Sequence, residues 1–197
     1  MAQEIEIEYK NLLTMNEFNR LLISLPFPEQ GKTQINHYFE TADFSLKKHD
    51  YALRIREKNN KYTLTLKEPH TTGLLETHDA LTKNEVEQWL NGDFVETENV
   101  TDRLKDKGIS LEKLKLYGSL KTDRRELEYE GVLLVLDYST YCGAEDYELE
   151  LEASSEDIGM RKIKDILEQF GIPERPTPNK IQRFFDTLSR EDTDMGK

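Results

Sequence analysis

Glutamates occupy every second position in two short stretches of this 197-residue chain, Glu4-Ile5-Glu6-Ile7-Glu8-Tyr9-Lys10 and Tyr147-Glu148-Leu149-Glu150-Leu151-Glu152. Cations keep the same spacing elsewhere: Arg54 and Arg56 flank Ile55, and Lys67 closes the row Thr63, Thr65, Lys67 that alternates with Tyr62, Leu64 and Leu66. Period two is the spacing of a strand, so each charged row lies on one strand face and the apolar row on the other. A solvated sheet face satisfies that pattern by itself. Sorting by sign argues for more, because like charges two residues apart on one face repel, and a plain surface sheet mixes and cross-pairs them. Clustered carboxylates are relieved by a hard divalent cation such as Mg²⁺ or Mn²⁺, which takes oxygen ligands. Arginines and lysines on neighbouring strands suit phosphate oxygens, arginine as a bidentate fork and lysine as a point charge. In an α+β fold that placed both sets on the inside of one closed antiparallel β-barrel, with helices covering the apolar outside, they would make a charged tunnel that binds metal at one wall and polyphosphate at the other.

The elements that must carry these residues are legible along the chain. A first strand covers Glu4 to Lys10. Thr14-Met-Asn-Glu17 is a capping box opening a helix to about Leu25, ended by Pro26 and Pro28. A second strand covers Gln34 to Thr41, and Tyr51–Glu57 with Lys61–Lys67 forms a hairpin over Asn59-Asn60. Thr82-Lys-Asn-Glu85 is a second capping box, starting a helix through Trp89 and Leu90, and a polar helical stretch follows over 102–107. Strands return at about 114–129, then Val132 to Tyr138 after Glu130-Gly131, then Tyr147 to Ala153. Ser155 begins a helix ending near Gly171 with Pro173 beyond its cap. The connector Arg175-Pro-Thr-Pro-Asn179 leads to a last helix, Lys180 to Leu188. One domain over 1–189 is the simplest account, and the polar residues 190–197 are expected to be a disordered tail.

Composition excludes several classes of function. A net charge of -12 opposes a nucleic-acid footprint or an anionic-membrane partner. The single cysteine, Cys142, forms neither an internal disulfide nor a thiolate metal site, which suits a reducing compartment. The N-terminus lacks the pattern of a signal peptide and no apolar run reaches bilayer length, so a cytoplasmic protein is expected. His37, His49, His70 and His78 have no ligand spacing and are expected to be ordinary loop or strand histidines. No Gly-rich phosphate loop precedes a helix. Trp89 is expected to pack in the core.

Glu6-Ile-Glu8-Tyr-Lys10 resembles the E-x-E-x-K motif of the CYTH superfamily, the triphosphate tunnel metalloenzymes. Further elements match in order over roughly residues 2–188: Tyr38-Phe-Glu-Thr41, Leu53-Arg-Ile-Arg56, Thr65-Leu-Lys67, Arg124-Arg125, Leu136-Asp137, Glu148-Leu-Glu150-Leu-Glu152 and Asn179-Lys180-Ile-Gln-Arg183. The set is most similar to the YjbK-like branch. The resemblance implies an eight-stranded antiparallel tunnel and divalent-metal-dependent hydrolysis of inorganic or organic triphosphate. Its alternatives, behind hydrolysis, are class IV adenylate cyclase and then non-catalytic binding of polyphosphate or nucleotide. It further implies Glu6, Glu8, Asp137, Glu148, Glu150 and Glu152 as ligands of Mg²⁺ or Mn²⁺. Lys10, Arg54, Arg56, Lys67, Arg124, Lys180 and Arg183 would grip the triphosphate, with Lys10 and Glu8 as catalytic candidates. The partner is then a small-molecule triphosphate, with no nucleic acid and no membrane, for a monomer or homodimer. Glu40 stands where the family often has aspartate. Of the adjacent Arg124 and Arg125 only one can face the site, and parity leaves open which.

Overall fold

The N-terminal stretch expected as one strand is two in the computed structural model: β1 (Gln3–Glu6) and β2 (Glu8–Leu13), divided at Ile7. Residues 3–195 are described. Between and beyond them run α1 (Met15–Ser24), β3 (Lys32–Thr41), α2 (Ser45–Lys48), β4 (Ala52–Lys58), β5 (Lys61–His70), β6 (Gly73–Leu81), α3 (Lys83–Asn91) and α4 (Val100–Asp106). The second half holds β7 (Leu114–Tyr129), β8 (Val132–Tyr141), β9 (Ala144–Glu152), α5 (Glu156–Gln169) and α6 (Lys180–Met195). Contacts group these into two units, one joining the residues up to Glu6 with Gln34–Ser119, the other joining Ile7–Thr33 with the residues from Leu120 onward.

In the first unit the strand order is β1-β6-β5-β4-β3, followed by the start of β7, and β1, β6, β5, β4 and β3 pair antiparallel in turn. One face of this sheet is dry: Phe39, Leu53, Ile55, Leu64 and Leu66 pack with Trp89 and Leu104 from α3 and α4. Trp89 is fully buried, donates from Nε1 to the Val95 carbonyl at 3.2 Å and meets Phe39 edge-on, so it is core as expected. Each such fully buried side chain contributes about 1.5–3 kcal/mol.

The second unit has the order β7-β8-β9-β2, with β7–β8, β8–β9 and β9–β2 antiparallel. Its core joins Leu134, Leu136, Leu149 and Leu151 to Phe18 and Leu21 of α1 and Ile163 and Ile166 of α5. The hairpins are set by two-residue turns in the left-handed region, Glu130-Gly131 (φ 48 and 82) and Cys142-Gly143 (φ 45 and 65), the twist that matches antiparallel strands. Both capping boxes form, Thr14 with Glu17 and Thr82 with Glu85.

Three expectations change. The described strands number nine, against the seven read along the sequence and the eight the resemblance implies: the first of the seven is split and β6 is added. β6 and α2 had no counterpart in the sequence reading: Gly-Leu-Leu-Glu-Thr-His-Asp-Ala-Leu does not alternate, so the neighbouring strand β5 fixes it as a strand. The last helix passes Leu188 and runs to Met195, through much of the expected tail, while residues 196–197 lie outside the described residues. Among the described residues no helix is long and apolar enough to cross a membrane.

Candidate active site

Both units carry their charges on the strand face opposite the core, and the strand registers fix which side chains meet. In the second unit Lys10 lies opposite Glu150, Glu8 opposite Glu152, Asp137 opposite Glu148, and Arg124 opposite Asp137. Arg124 therefore shares the acidic face, which resolves the choice that parity left open. Arg125 points the other way, paired with Asp123 and the Glu29 carbonyl.

Arg124 donates from Nε and Nη2 to the two Asp137 oxygens at 2.8 and 2.6 Å and from Nη2 to Glu150 at 2.6 Å. Lys180 brings its ammonium to Asp137 at 2.8 Å, Glu148 at 2.9 Å and Glu150. Arg183, one turn along α6 on the same side, donates to Asp146 at 2.8 Å and to Glu148. Asp137 and Glu148 have no exposed surface, so this network is desolvated and each charge depends on its partners. Lys10 pairs with Glu8 at 2.6 Å.

Buried, these groups shift by competing causes. Burial pushes the Glu148 carboxyl up, and the neighbouring Glu150 charge adds to that, against Lys180 and Arg183; it ends raised. Burial also acts on Glu150, but Arg124 and Lys180 outweigh it and hold the carboxyl well below the usual range. Lys180 and Arg124, despite burial, are held charged by the carboxylates around them. The connector ahead of α6 is tied to β2: Arg175 donates its backbone N–H to Asn11 Oδ1 at 2.7 Å, and the Leu12 N–H donates to Thr177 Oγ1 at 2.9 Å. Arg175 also forks onto Glu17 at 2.9 Å. This lashing aims Lys180 and Arg183 at the acidic face.

In the first unit the charged face carries Glu4 and Glu6 on β1, Glu76 and His78 on β6, Lys67 on β5, and Arg54 and Arg56 on β4. Glu4 lies opposite Glu76, and Glu76 opposite Lys67. Lys67 pairs with Glu6 at 2.6 Å and with Glu76. Arg54 stands 4.0 Å from Glu76, and its buried Nε has no hydrogen-bond partner. Arg56 donates from Nε to Asn36 Oδ1 at 3.1 Å. Burial pushes the Glu76 carboxyl up, but Arg54 and Lys67 outweigh it and lower it to about 2. His78 holds Thr65 Oγ1 at 3.0 Å through Nδ1 and approaches Glu4 at 3.2 Å and Glu76 at 3.3 Å through Nε2. Glu4, Glu76 and His78 form one group with ligand atoms within 4.8 Å of one another. Glu40 turns to the backbone, accepting from the N–H groups of Thr41, Leu46 and Lys47 at 2.7–2.9 Å, which anchors the start of α2.

Sequence reasoning thus missed Glu76, His78 and Asp146. The first two lie on the unassigned strand; Asp146 continues the period-two row of Glu148 and Glu150 and was open to detection. The oxygen-rich donor set fits a hard cation, and one observation makes the fit specific: Glu148 Oε1 is buried and accepts no hydrogen bond. Asp137 and Glu150 fit less well, since Arg124 and Lys180 already occupy both oxygens of each.

Comparisons with known proteins agree with these elements. The model of the CYTH domain matches residues 4–185. A Bacillus subtilis (strain 168) protein named "Putative triphosphatase YjbK" is 48% identical over 187 residues, covering 94% of this chain and 97% of that one. The crystal structure of a Bacillus halodurans protein described as a "putative adenylate cyclase" superposes with a TM-score of 0.91 at 48% identity, covering 94% of this chain and all of that one. The Hippeastrum protein HpAC1, described as having a dominant triphosphatase activity, superposes with a TM-score of 0.78 at 25% identity, covering 93% of this chain and 95% of that one. On these matches the chain belongs to the CYTH domain family.

Proposed function

We propose that this chain is a divalent-metal-dependent triphosphatase. The observation that carries the reading is the buried set of Arg124, Lys180 and Arg183 against Asp137, Glu148 and Glu150, with one Glu148 oxygen left without a donor. A structural ion network needs no such orphan; a metal site does. The names of the Bacillus subtilis and Hippeastrum relatives support hydrolysis over other uses of the fold. Closure of the strands into a tunnel belongs to this proposal, resting on the resemblance. So do a cytoplasmic location, which suits a chain with one cysteine, and a small-molecule triphosphate as partner.

In this reading Glu6, Glu8, Glu148 and Glu150 hold Mg²⁺ or Mn²⁺, with Asp137 and Glu152 completing the acidic rows. The bound cation supplies charge neutralisation for the polyphosphate. Arg54, Arg56, Lys67 and Arg124 bind phosphate oxygens and stabilise charge on the transferring phosphoryl group, with Lys180 and Arg183 beside them. Lys10, held by Glu8, orients the attacking water or a phosphate oxygen. The test is phosphate release from inorganic triphosphate, thiamine triphosphate, ATP and longer polyphosphate with Mg²⁺ and with Mn²⁺. Glu6→Gln and Glu8→Gln abolish metal-dependent turnover while keeping the fold; folded variants at the wild-type rate would overturn the reading. A second reading, cyclisation of ATP, is favoured by the description of the Bacillus halodurans protein. It predicts cyclic AMP in place of released phosphate.

A further inference from the structure

Gln34 lies on the charged face of the first unit without any charge of its own. On β3 the alternation sends Gln34, Asn36 and Tyr38 to one side, opposite Lys58, Arg56 and Arg54 of β4. Their neighbours Ile35, His37 and Phe39 point the other way, with Phe39 in the core beside Leu53 and Ile55. Asn36 is committed to Arg56 through its Oδ1. Gln34 is 2% exposed, and its buried Oε1 accepts from no donor.

An unsatisfied buried acceptor is costly enough that most are explained by a ligand or ordered water. We propose that the Gln34 carboxamide is a specificity-determining contact for the organic substituent of a triphosphate substrate. This rests on the triphosphatase reading and names the substrate class within it. A phosphate terminus at neutral pH offers acceptors almost alone, and Arg54 and Arg56 on the adjacent strand already match these. A carboxamide presents a donor and an acceptor side by side, whichever way it is turned. Its complement is a group that also pairs an N–H or O–H with an acceptor, such as an aminopyrimidine or nucleobase edge. A site built to bond such a group discriminates against a substrate lacking it, because the amide is then left half-paired.

The experiment measures kcat/KM for inorganic triphosphate, ATP and thiamine triphosphate on the wild type and on Gln34→Leu, which keeps the bulk and removes both polar atoms. The ratio of organic to inorganic kcat/KM for the preferred organic substrate falls about tenfold in the variant, equivalent to about 1.4 kcal/mol. A ratio unchanged within twofold overturns the inference. So does a wild type that hydrolyses inorganic triphosphate alone, although the triphosphatase reading then stands. A wild type that hydrolyses none of the three removes both. If Gln34→Leu unfolds, Gln34→Met carries the same ratio.

Discussion

Arg54 and Arg124 occupy equivalent stations, each on the charged face of an antiparallel sheet, yet their surroundings differ. Arg124 is bonded to Asp137 and Glu150 at 2.6–2.8 Å, beside an ammonium held by the same carboxylates. Arg54 has one carboxylate at 4.0 Å and an Nε with no partner. The second unit has largely satisfied its charges internally; the first keeps an arginine in reserve. Charge content is therefore a poor guide to binding capacity. Unmet hydrogen-bonding valence is a better one.

The comparison predicts its largest difference in stability. Arg124→Ala strands two desolvated carboxylates and lowers the unfolding free energy by about 3–5 kcal/mol. Arg54→Ala, which removes one 4.0 Å contact to the buried Glu76 carboxylate, costs less, about 1–3 kcal/mol, yet lowers kcat/KM for triphosphate hydrolysis at least tenfold, the loss of about 1.4 kcal/mol of transition-state binding. Urea titrations and initial rates check both. Equal loss of stability in the two variants breaks the comparison.

A smaller effect lies in the pH dependence. Glu76 is held at about 2, below an unfolded value of about 4.3, so its contribution is present above pH 4.3 and is lost as pH falls through 2. Glu148 is shifted the other way: its folded state prefers the proton, so stability declines as pH rises from about 4.3 through the raised value. Glu76→Gln should flatten the acid limb, and Glu148→Gln should lessen the decline toward neutrality. Denaturation midpoints across this range check each slope; a steeper acid limb in Glu76→Gln would contradict the pairing with Arg54 and Lys67.

How far the sequence discloses this arrangement depends on the range of the interaction. Period-two rows, capping boxes and the Asn59-Asn60 turn are local, and β3, β4, β7 and both capped helices follow from them within a few residues. The face carrying Glu148, Glu150 and Arg124 is equally local once a register is known. Glu76 and His78 escape because β6 has no alternation of its own and is held by pairing with β5 and β1. Lys180 and Arg183 are legible as a spacing, but what they touch depends on Arg175 and Thr177 lashing the connector to β2. The valence of each charge, which separates Arg54 from Arg124, is set by contacts far apart in sequence.

The two capping boxes sharpen the same contrast with the smallest expected effect. Thr14-x-x-Glu17 in the second unit and Thr82-x-x-Glu85 in the first are identical as motifs, and both close their reciprocal bonds. Glu85 does nothing further, whereas Glu17 also receives the Arg175 fork at 2.9 Å, and that hydrogen bond is the main cause of its lowered carboxyl. Glu85→Ala should cost under about 1 kcal/mol. Glu17→Ala should cost about 1.5–3 kcal/mol, because charged hydrogen bonds are lost with the cap. Since Arg175 also secures the connector that aims Lys180, Glu17→Ala should lower turnover, and Glu85→Ala should not. Thermal melts and phosphate-release rates on the two variants decide it: equal costs would mean that Arg175 gains nothing from Glu17, and that the connector is held by its bonds to Asn11 and Leu12.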